Sequence, residues 1–122
     1  MNATAYGAAA LFAQREFGGI IAPSEVTETI GTSVSNVLGN DPERVSFFLM
    51  NLGASDIYLS TTPSPSSSNG IVLSANGGFI GFNAKDDQII PTMAWWALGA
   101  GASLPLQVLT QRRIRALTET GE

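Results

Sequence analysis

Residues 44–59 read RVSFFLMNLGASDIYL, an apolar run, a turn and a second apolar run. Alternate side chains of a strand face opposite sides. One face of the first run therefore carries Val45, Phe47 and Leu49, and the other carries Ser46, Phe48 and Met50. Asn51 and Gly53 supply turn chemistry, because Gly and Asn tolerate positive φ. The stretch predicts a β-hairpin whose first strand is apolar on both faces.

The rest of the chain predicts an all-β fold. Its 122 residues suffice for one domain with one core. Charged residues make up 13% and apolar residues 44%, a composition that is too apolar for a disordered chain. About eight short runs recur roughly every ten residues, which is typical of a β-sandwich or a jelly-roll-like barrel. We expect three parts: an N-terminal arm at 1–23, the sandwich at 24–111 and a tail at 112–122.

Turn signals set the expected connections. Asn76, Gly77 and Gly78 predict a hairpin between strands at 71–73 and 79–82. Residues 89–91 predict a short edge strand, because proline cannot donate to a ladder. The segment TTPSPSSSN at 61–69 has no apolar residue to bury apart from its prolines, which predicts an exposed loop.

Charge and residue usage exclude several functions. The net charge is −4 with a single lysine, Lys85, so non-specific nucleic-acid binding is not expected. The cations cluster at Arg112, Arg113 and Arg115, where they could meet an acidic partner surface. No run reaches the roughly 20 apolar residues that span a bilayer, and no basic segment precedes the N-terminal apolar run. We therefore predict neither a membrane partner nor a secretory signal.

The sequence contains few of the side chains that usually carry out catalysis. The absence of Cys and His removes thiol nucleophiles, disulfides, Cys/His zinc sites and histidine acid–base chemistry. Asp86 and Asp87 are predicted to form a solvated polar turn, and Asp41, Glu43 and Asp56 to set turns. We predict no enzyme, no catalytic residue, no metal site and no cofactor. A glycosidase with a carboxylate pair is the remaining enzymatic alternative.

Surplus apolar side chains indicate interfaces. Trp95 and Trp96 are adjacent, so on a strand their rings point to opposite faces. One ring then belongs to the core, and the other either stacks on a sugar or lies in a protein interface. We favour an interface, because Phe48 and Met50 also occupy a second apolar face. The predicted subunit interface comprises Phe48, Met50, Tyr58, Trp95 and Trp96.

The N-terminal arm predicts a docking element. Helix formers at 4–17 followed by Gly18 and Gly19 favour a short helix, and a frayed terminus is the alternative. The apolar side chains that need a partner surface are Tyr6, Leu11, Phe12, Phe17, Ile20 and Ile21.

Several of these motifs together resemble small virion proteins of tailed bacteriophages. In that family an arginine and a serine open a strand, an Asn-x-Gly turn follows, and an Ile-Tyr-Leu strand returns. The corresponding residues are RVSFFLMNLG at 44–53, IYL at 57–59, NGIVL at 69–73, GGFI at 77–80 and AWWA at 94–97. The resemblance covers roughly residues 25–110.

The resemblance implies a capsid decoration (cement) protein or a head-fibre base with a β-sandwich or jelly-roll fold. Such a protein would bind the major coat protein on the outer shell as a homotrimer, in a virion assembled in the host cytoplasm. The arm would then dock on the coat or on a neighbouring subunit. The alternative is a carbohydrate- or receptor-binding module of a phage fibre, tail or neck, which would use an exposed tryptophan and the loop at 61–69.

Overall fold

A computed structural model describes residues 20–114, which form eight β-strands. The strands are β1 (Ile20–Ile30), β2 (Ser35–Leu38), β3 (Arg44–Asn51), β4 (Ile57–Ser60), β5 (Ile71–Leu73), β6 (Phe79–Asn83), β7 (Trp95–Gly99) and β8 (Leu104–Ile114). One helical turn, α1 (Ala84–Asp87), and a 3-10 helix (Ile90–Thr92) lie between β6 and β7. The predicted all-β class with eight strands is confirmed.

The strands form two antiparallel four-stranded sheets. Sheet 1 has the order β1-β8-β3-β6 and sheet 2 the order β2-β7-β4-β5. The first four strands pair with the last four in reverse order: β1 with β8, β2 with β7, β3 with β6 and β4 with β5. Additional pairs between β3 and β8 and between β4 and β7 complete the sheets. The chain is thus one long hairpin rolled into a sandwich, which is the jelly-roll arrangement.

The predicted hairpin at 44–59 is wrong, although both of its strands exist. β3 belongs to sheet 1 and β4 to sheet 2, so the five residues between them cross from one sheet to the other. The fully buried Asn51 supports this crossing. Its Nδ2 donates to the carbonyl oxygens of Ser55 (2.8 Å) and Leu73 (3.0 Å), and its Oδ1 accepts from the Gly53 N–H (2.8 Å). These bonds satisfy a polar side chain that would otherwise be costly to bury.

The second predicted hairpin, at 76–78, is wrong for the same reason. β5 and β6 lie in different sheets, and the turn between them is a second crossing. The two crossings are hydrogen-bonded to each other: the Asn51 N–H donates to the Gly78 carbonyl oxygen (2.8 Å), and the Gly77 N–H donates to the Asn51 carbonyl oxygen (2.7 Å). Asn76 and Gly77 have φ of 62° and 116°, the left-handed values that favour these residue types.

The core between the sheets follows the alternation of the strands. Trp95 is one of its largest members, 5.7 Å from Phe47 and 5.8 Å from Phe82 between ring centroids. Its buried indole N–H has no acceptor among the described residues. The buried apolar side chains are Ile30, Leu38, Phe47, Leu49, Ile57, Leu59, Leu73, Trp95, Ala97, Leu104, Leu106 and Val108.

Three further boundaries differ from those expected. β1 begins at Ile20 and β8 ends at Ile114, so residues assigned to the arm and the tail extend the sandwich. Pro23 lies within β1, where it is tolerated because β1 is an edge strand. The segment around Pro91 is a 3-10 helix rather than a strand, with Thr92 Oγ1 donating to the Ile89 carbonyl oxygen (2.6 Å).

We predict that Asn51→Ala destabilises the protein by about 2–4 kcal/mol, because it leaves one buried carbonyl oxygen, one part-buried carbonyl oxygen and one buried N–H without their partner. Urea denaturation followed by circular dichroism measures this loss. Asn40→Ala is the matched control, since Asn40 is exposed and should change stability by less than about 0.5 kcal/mol. Equal losses in the two variants would contradict the role assigned to Asn51.

Candidate functional site: two apolar outer faces

The outer face of sheet 1 carries a contiguous apolar patch. The register pairs Phe48 of β3 with Leu109 of β8, and Met50 of β3 with Phe79 of β6. Phe79 is 62% exposed, and its ring centroid lies 5.3 Å from that of Phe48. We call Phe48, Met50, Phe79 and Leu109 the sheet-1 patch. Antiparallel sheets usually present polar side chains on the face that meets water, so this patch requires an explanation.

Gly81 accounts for the position of Phe48 on this face. Gly81 is the β6 partner of Phe48, and a Cβ on it would lie 3.3 Å from the Phe48 Cδ1 atom. The missing side chain therefore gives the Phe48 ring room to lie over the β6 backbone and to reach Phe79. A glycine inside a strand predicts a bulge or a close backbone approach, and the close approach is what the structure has.

Polar side chains that bond to one another flank the patch. Thr27 Oγ1 donates to Gln107 Oε1 (2.9 Å), and Gln107 Nε2 donates to Glu25 Oε2 (2.7 Å). On the other side Ser46 Oγ donates to Gln111 Oε1 (3.0 Å). An apolar centre with a polar rim is the usual organisation of a protein interface.

A groove of about 490 Å³ adjoins the patch on the same outer face. It crosses β1, β8 and β3, and its lining includes two side chains of the sheet-1 patch. The outward-facing residues along it are Pro23, Glu25, Ser46, Phe48, Leu109 and Gln111. We call this feature the outer groove.

Sheet 2 carries a second apolar patch on its own outer face. Tyr58 of β4 pairs with Leu98 of β7 on one side and with Val72 of β5 on the other. Trp96 follows in the next outward-facing row, opposite Ser60. Tyr58, Trp96 and Leu98 are half-buried, and Val72 is 47% exposed. These four residues are the sheet-2 patch.

The serine-rich loop begins beside Trp96, because Ser60 is the register partner of Trp96 and immediately precedes the loop. The loop is held by its own polar groups: Asn69 Nδ2 donates to the Ser64 carbonyl oxygen (2.8 Å), and the Thr62 N–H donates to Ser60 Oγ (3.1 Å). Pro65 is buried, although the rest of the loop is largely exposed as expected.

The structure separates the residues predicted to form one interface. Phe48 and Met50 lie on sheet 1, whereas Tyr58 and Trp96 lie on the opposite outer face, and Trp95 belongs to the core. Of the predicted arm, Tyr6, Leu11, Phe12 and Phe17 lie outside the described residues, and Ile20 and Ile21 are part of β1.

Four patch residues were missed by sequence reasoning: Phe79, Leu109, Val72 and Leu98. Their signal was the period-two alternation of their strands. The strands that carry Val72 and Phe79 were predicted to be neighbours in a hairpin, and that hairpin does not form. Without the correct partners, neither side chain could be assigned to a patch.

The arginines near the end of β8 do not form the free basic cluster that was expected. Arg112 Nε and Nη2 donate to the two carboxylate oxygens of Asp41 (3.0 and 3.2 Å), and Arg113 Nε donates to Glu43 Oε1 (2.7 Å). Arg115 lies outside the described residues. The hydrogen bonds from Arg112 lower the pKa of Asp41, against a smaller opposing effect of burial.

A third arginine, Arg44, is buried beneath this ionic end of the sandwich. Its guanidinium donates to the carbonyl oxygens of Gly39 (2.8 Å), Pro91 (3.2 Å) and Met93 (3.3 Å). Burial lowers the pKa of Arg44. The side chain therefore ties the segment after β2 to the segment before β7, and its donors are directed at backbone rather than at a ligand.

The carboxylates of Asp56, Asp86 and Asp87 accept hydrogen bonds from nearby segments of the chain. Asp86 and Asp87 accept from the side chain and the N–H of Asn83 (3.2 and 2.9 Å), which closes α1. Asp56 Oδ1 accepts from the Ala75 N–H (3.0 Å). Within residues 20–114, no group of three or more acidic side chains is placed to hold a metal ion. Within the same range, no helix has the length and apolar content to cross a membrane.

Comparisons with known proteins do not show a family for this chain. No family model matches the chain, and no curated protein is similar to it in sequence. Among solved structures, one similar chain comes from the study "Bacillus endospore appendages form a novel family of disulfide-linked pili". It is 14% identical, with a TM-score of 0.47 over 80% of this chain and 88% of that one. The present sequence of 122 residues contains no cysteine.

We predict that the Asp41–Arg112 pair makes stability depend on acid pH. The pKa of Asp41 is lower in the folded protein, so the unfolded chain binds the proton first and stability falls as the pH drops below about 3.8. In Asp41→Asn the free energy of unfolding should fall less steeply between pH 6 and pH 2, as measured by urea denaturation. Arg112→Gln should have the same effect, and an unchanged slope in both variants would contradict the assignment.

Proposed function

We propose that this chain is a non-enzymatic virion structural protein, a capsid decoration protein that binds the outer shell as a homotrimer. The observation that carries the proposal is the sheet-1 patch, whose ring pair and 62% exposed Phe79 occupy a face that normally meets water. Exposed aromatic side chains with a polar rim are characteristic of protein interfaces. The family resemblance supports the capsid as the site of assembly, and viral capsid domains are among the proteins that share the jelly-roll arrangement.

Two opposite patches suit a protein with two kinds of partner. We assign contact between copies to the edge of the sheet-1 patch, around Met50 and Phe79, because β6 is a sheet edge and Phe79 is the most exposed aromatic residue within 20–114. The sheet-2 patch is then free to meet the coat lattice through Trp96, Tyr58 and Val72. Binding only to the assembled lattice would stabilise the shell by mass action.

The test uses one charge on each face. Phe79→Asp should weaken self-association about thirtyfold or more, the factor that corresponds to a hot-spot loss of about 2 kcal/mol. Multi-angle light scattering over a concentration series measures it. Val72→Asp should leave the trimer intact and abolish binding to expanded shells of the virus that carries the protein, as measured by co-sedimentation.

Each variant is the matched control for the other, because both side chains are exposed and neither belongs to the core. Circular dichroism checks that both variants keep the fold. A wild-type chain that is monomeric at micromolar concentration and leaves the thermal opening of shells unchanged would refute the proposal.

A carbohydrate- or receptor-binding module is the second candidate, and one observation favours it. An exposed tryptophan and the loop at 61–69 were predicted to form this module together, and Trp96 is the register partner of Ser60 at the start of that loop. An aromatic ring next to hydroxyl and amide groups offers both a stacking surface and hydrogen-bonding partners for a sugar.

Glycan binding would then change the fluorescence of Trp96, whereas the buried Trp95 serves as an internal reference. We expect any glycan-induced shift to disappear in Trp96→Phe and to persist in Trp95→Phe. A glycan panel that leaves the wild-type emission unchanged would exclude this candidate.

A further inference from the structure

We propose that the outer groove is the docking site of the chain's own N-terminal segment, residues 1–19. The groove has a volume of about 490 Å³ and is open to solvent along β1, β8 and β3. Its lining combines the apolar surfaces of Phe48, Leu109 and Pro23 with polar groups at the rim. Leu109 is 37% exposed there, so the described residues leave part of this apolar surface uncovered.

The composition of the segment matches that surface. Beyond Met1, residues 2–19 contain four large apolar or aromatic side chains: Tyr6, Leu11, Phe12 and Phe17. The other end of the chain, residues 115–122, offers only Leu117 as a large apolar side chain. Burial of apolar area is the main favourable term in such docking, so the N-terminal segment is the better occupant.

The attachment point lies close to the groove. The segment joins the sandwich at Ile20, three to five residues from Pro23 and Glu25, which is about 10–17 Å at the usual rise of a strand. β1 runs from Ile20 towards the groove, so the chain must reverse before it. Gly18 and Gly19 directly precede Ile20, and adjacent glycines permit such a reversal. Because the segment is tethered, its effective concentration at the groove is on the order of millimolar.

One opposite-charge pair is available between the segment and the groove. Glu25 is the one charged side chain that lines the groove, and residues 1–19 contain one Lys or Arg side chain, Arg15, which is followed by the acidic Glu16. A salt bridge at the rim of a groove fixes the position of the docked segment more than it raises the affinity. A segment in the groove would cover Phe48 and Leu109 and leave Met50 and Phe79 for contact between copies. The inference stands apart from the capsid role, since it concerns how the chain covers its own surface.

Crosslinking in the full-length chain tests the proposal, because the natural sequence has no cysteine to interfere. Cysteine is placed at Ala8, Ala10 or Ala13 in turn, each combined with Ser46→Cys at the groove. The matched control combines the same segment cysteines with Ser35→Cys, an exposed position on sheet 2. Mild oxidation should give an intrachain disulfide with Ser46→Cys at least tenfold faster than with Ser35→Cys, as measured by mass spectrometry of digested protein.

The alternatives give different products. Disulfides between two chains would overturn the proposal in favour of a neighbour's segment, and rates equal to the control would overturn it in favour of an external partner. A chain that forms the intrachain disulfide but does not self-associate would refute the proposed trimer and leave this inference standing.

Limited proteolysis gives an independent measurement. Trypsin cleavage after Arg15 requires the segment to leave the groove, so Leu109→Ser should accelerate it roughly tenfold. Val72→Ser, an exposed aliphatic position on the opposite face, should leave the rate at the wild-type value. Equal rates in the wild type and in Leu109→Ser would overturn the proposal.

Discussion

The rolled hairpin depends on how the chain passes from sheet 1 to sheet 2 at Asn51. Where the chain crosses between packed sheets, its polar backbone passes the end of an apolar core. Each backbone N–H or carbonyl group that lacks a hydrogen bond there lowers the stability of the fold. Asn51 meets this constraint with one side chain, because its amide both donates and accepts. It bonds to the β3–β4 crossing and to Leu73 at the end of β5, and its backbone bonds to the second crossing. Asn51 therefore fastens the two crossings to each other, together with the bond from the Asn76 N–H to the Gly53 carbonyl oxygen.

This constraint explains which parts of the fold could be predicted from the sequence. The period-two alternation identifies strands and divides their side chains between two faces, so Phe47 and Leu49 were placed together on one face of β3, and both are buried. Turn chemistry is less informative, since Asn and Gly adopt left-handed conformations equally well in a hairpin and in a crossing between sheets. The residues at 51–53 and 76–78 predicted hairpins because nothing local distinguishes the two cases. Only the long-range hydrogen bonds between the two crossings do so, and they have no signature in either segment alone.

The same limitation applied to the surface. Phe48 and Met50 were identified as a second apolar face from β3 alone, and this placement is correct. The residues expected to form one interface lie on different faces, because the predicted hairpin treated β3 and β4 as neighbours and they belong to different sheets. Likewise, Arg112 and Arg113 are adjacent in the sequence, and this adjacency alone predicted a basic cluster that could meet an acidic partner. Their partners Asp41 and Glu43 are about 70 positions away, and the roll brings them together.

The two patches have an energetic consequence for a protein of this size. A small domain exposes much of its surface, and apolar atoms contribute a large share of any protein surface, so scattered exposed residues carry no meaning. Here the apolar residues are contiguous on neighbouring strands of both sheets. On sheet 1 the next row beyond Phe48 and Leu109 contains Ser46 and Gln111, whose polar side chains are hydrogen-bonded to each other. The contact with Phe48 uses only part of Phe79, which stays 62% exposed, and an exposed aromatic side chain at a sheet edge favours non-specific association. The contact between copies proposed for this edge would account for the exposed position of Phe79.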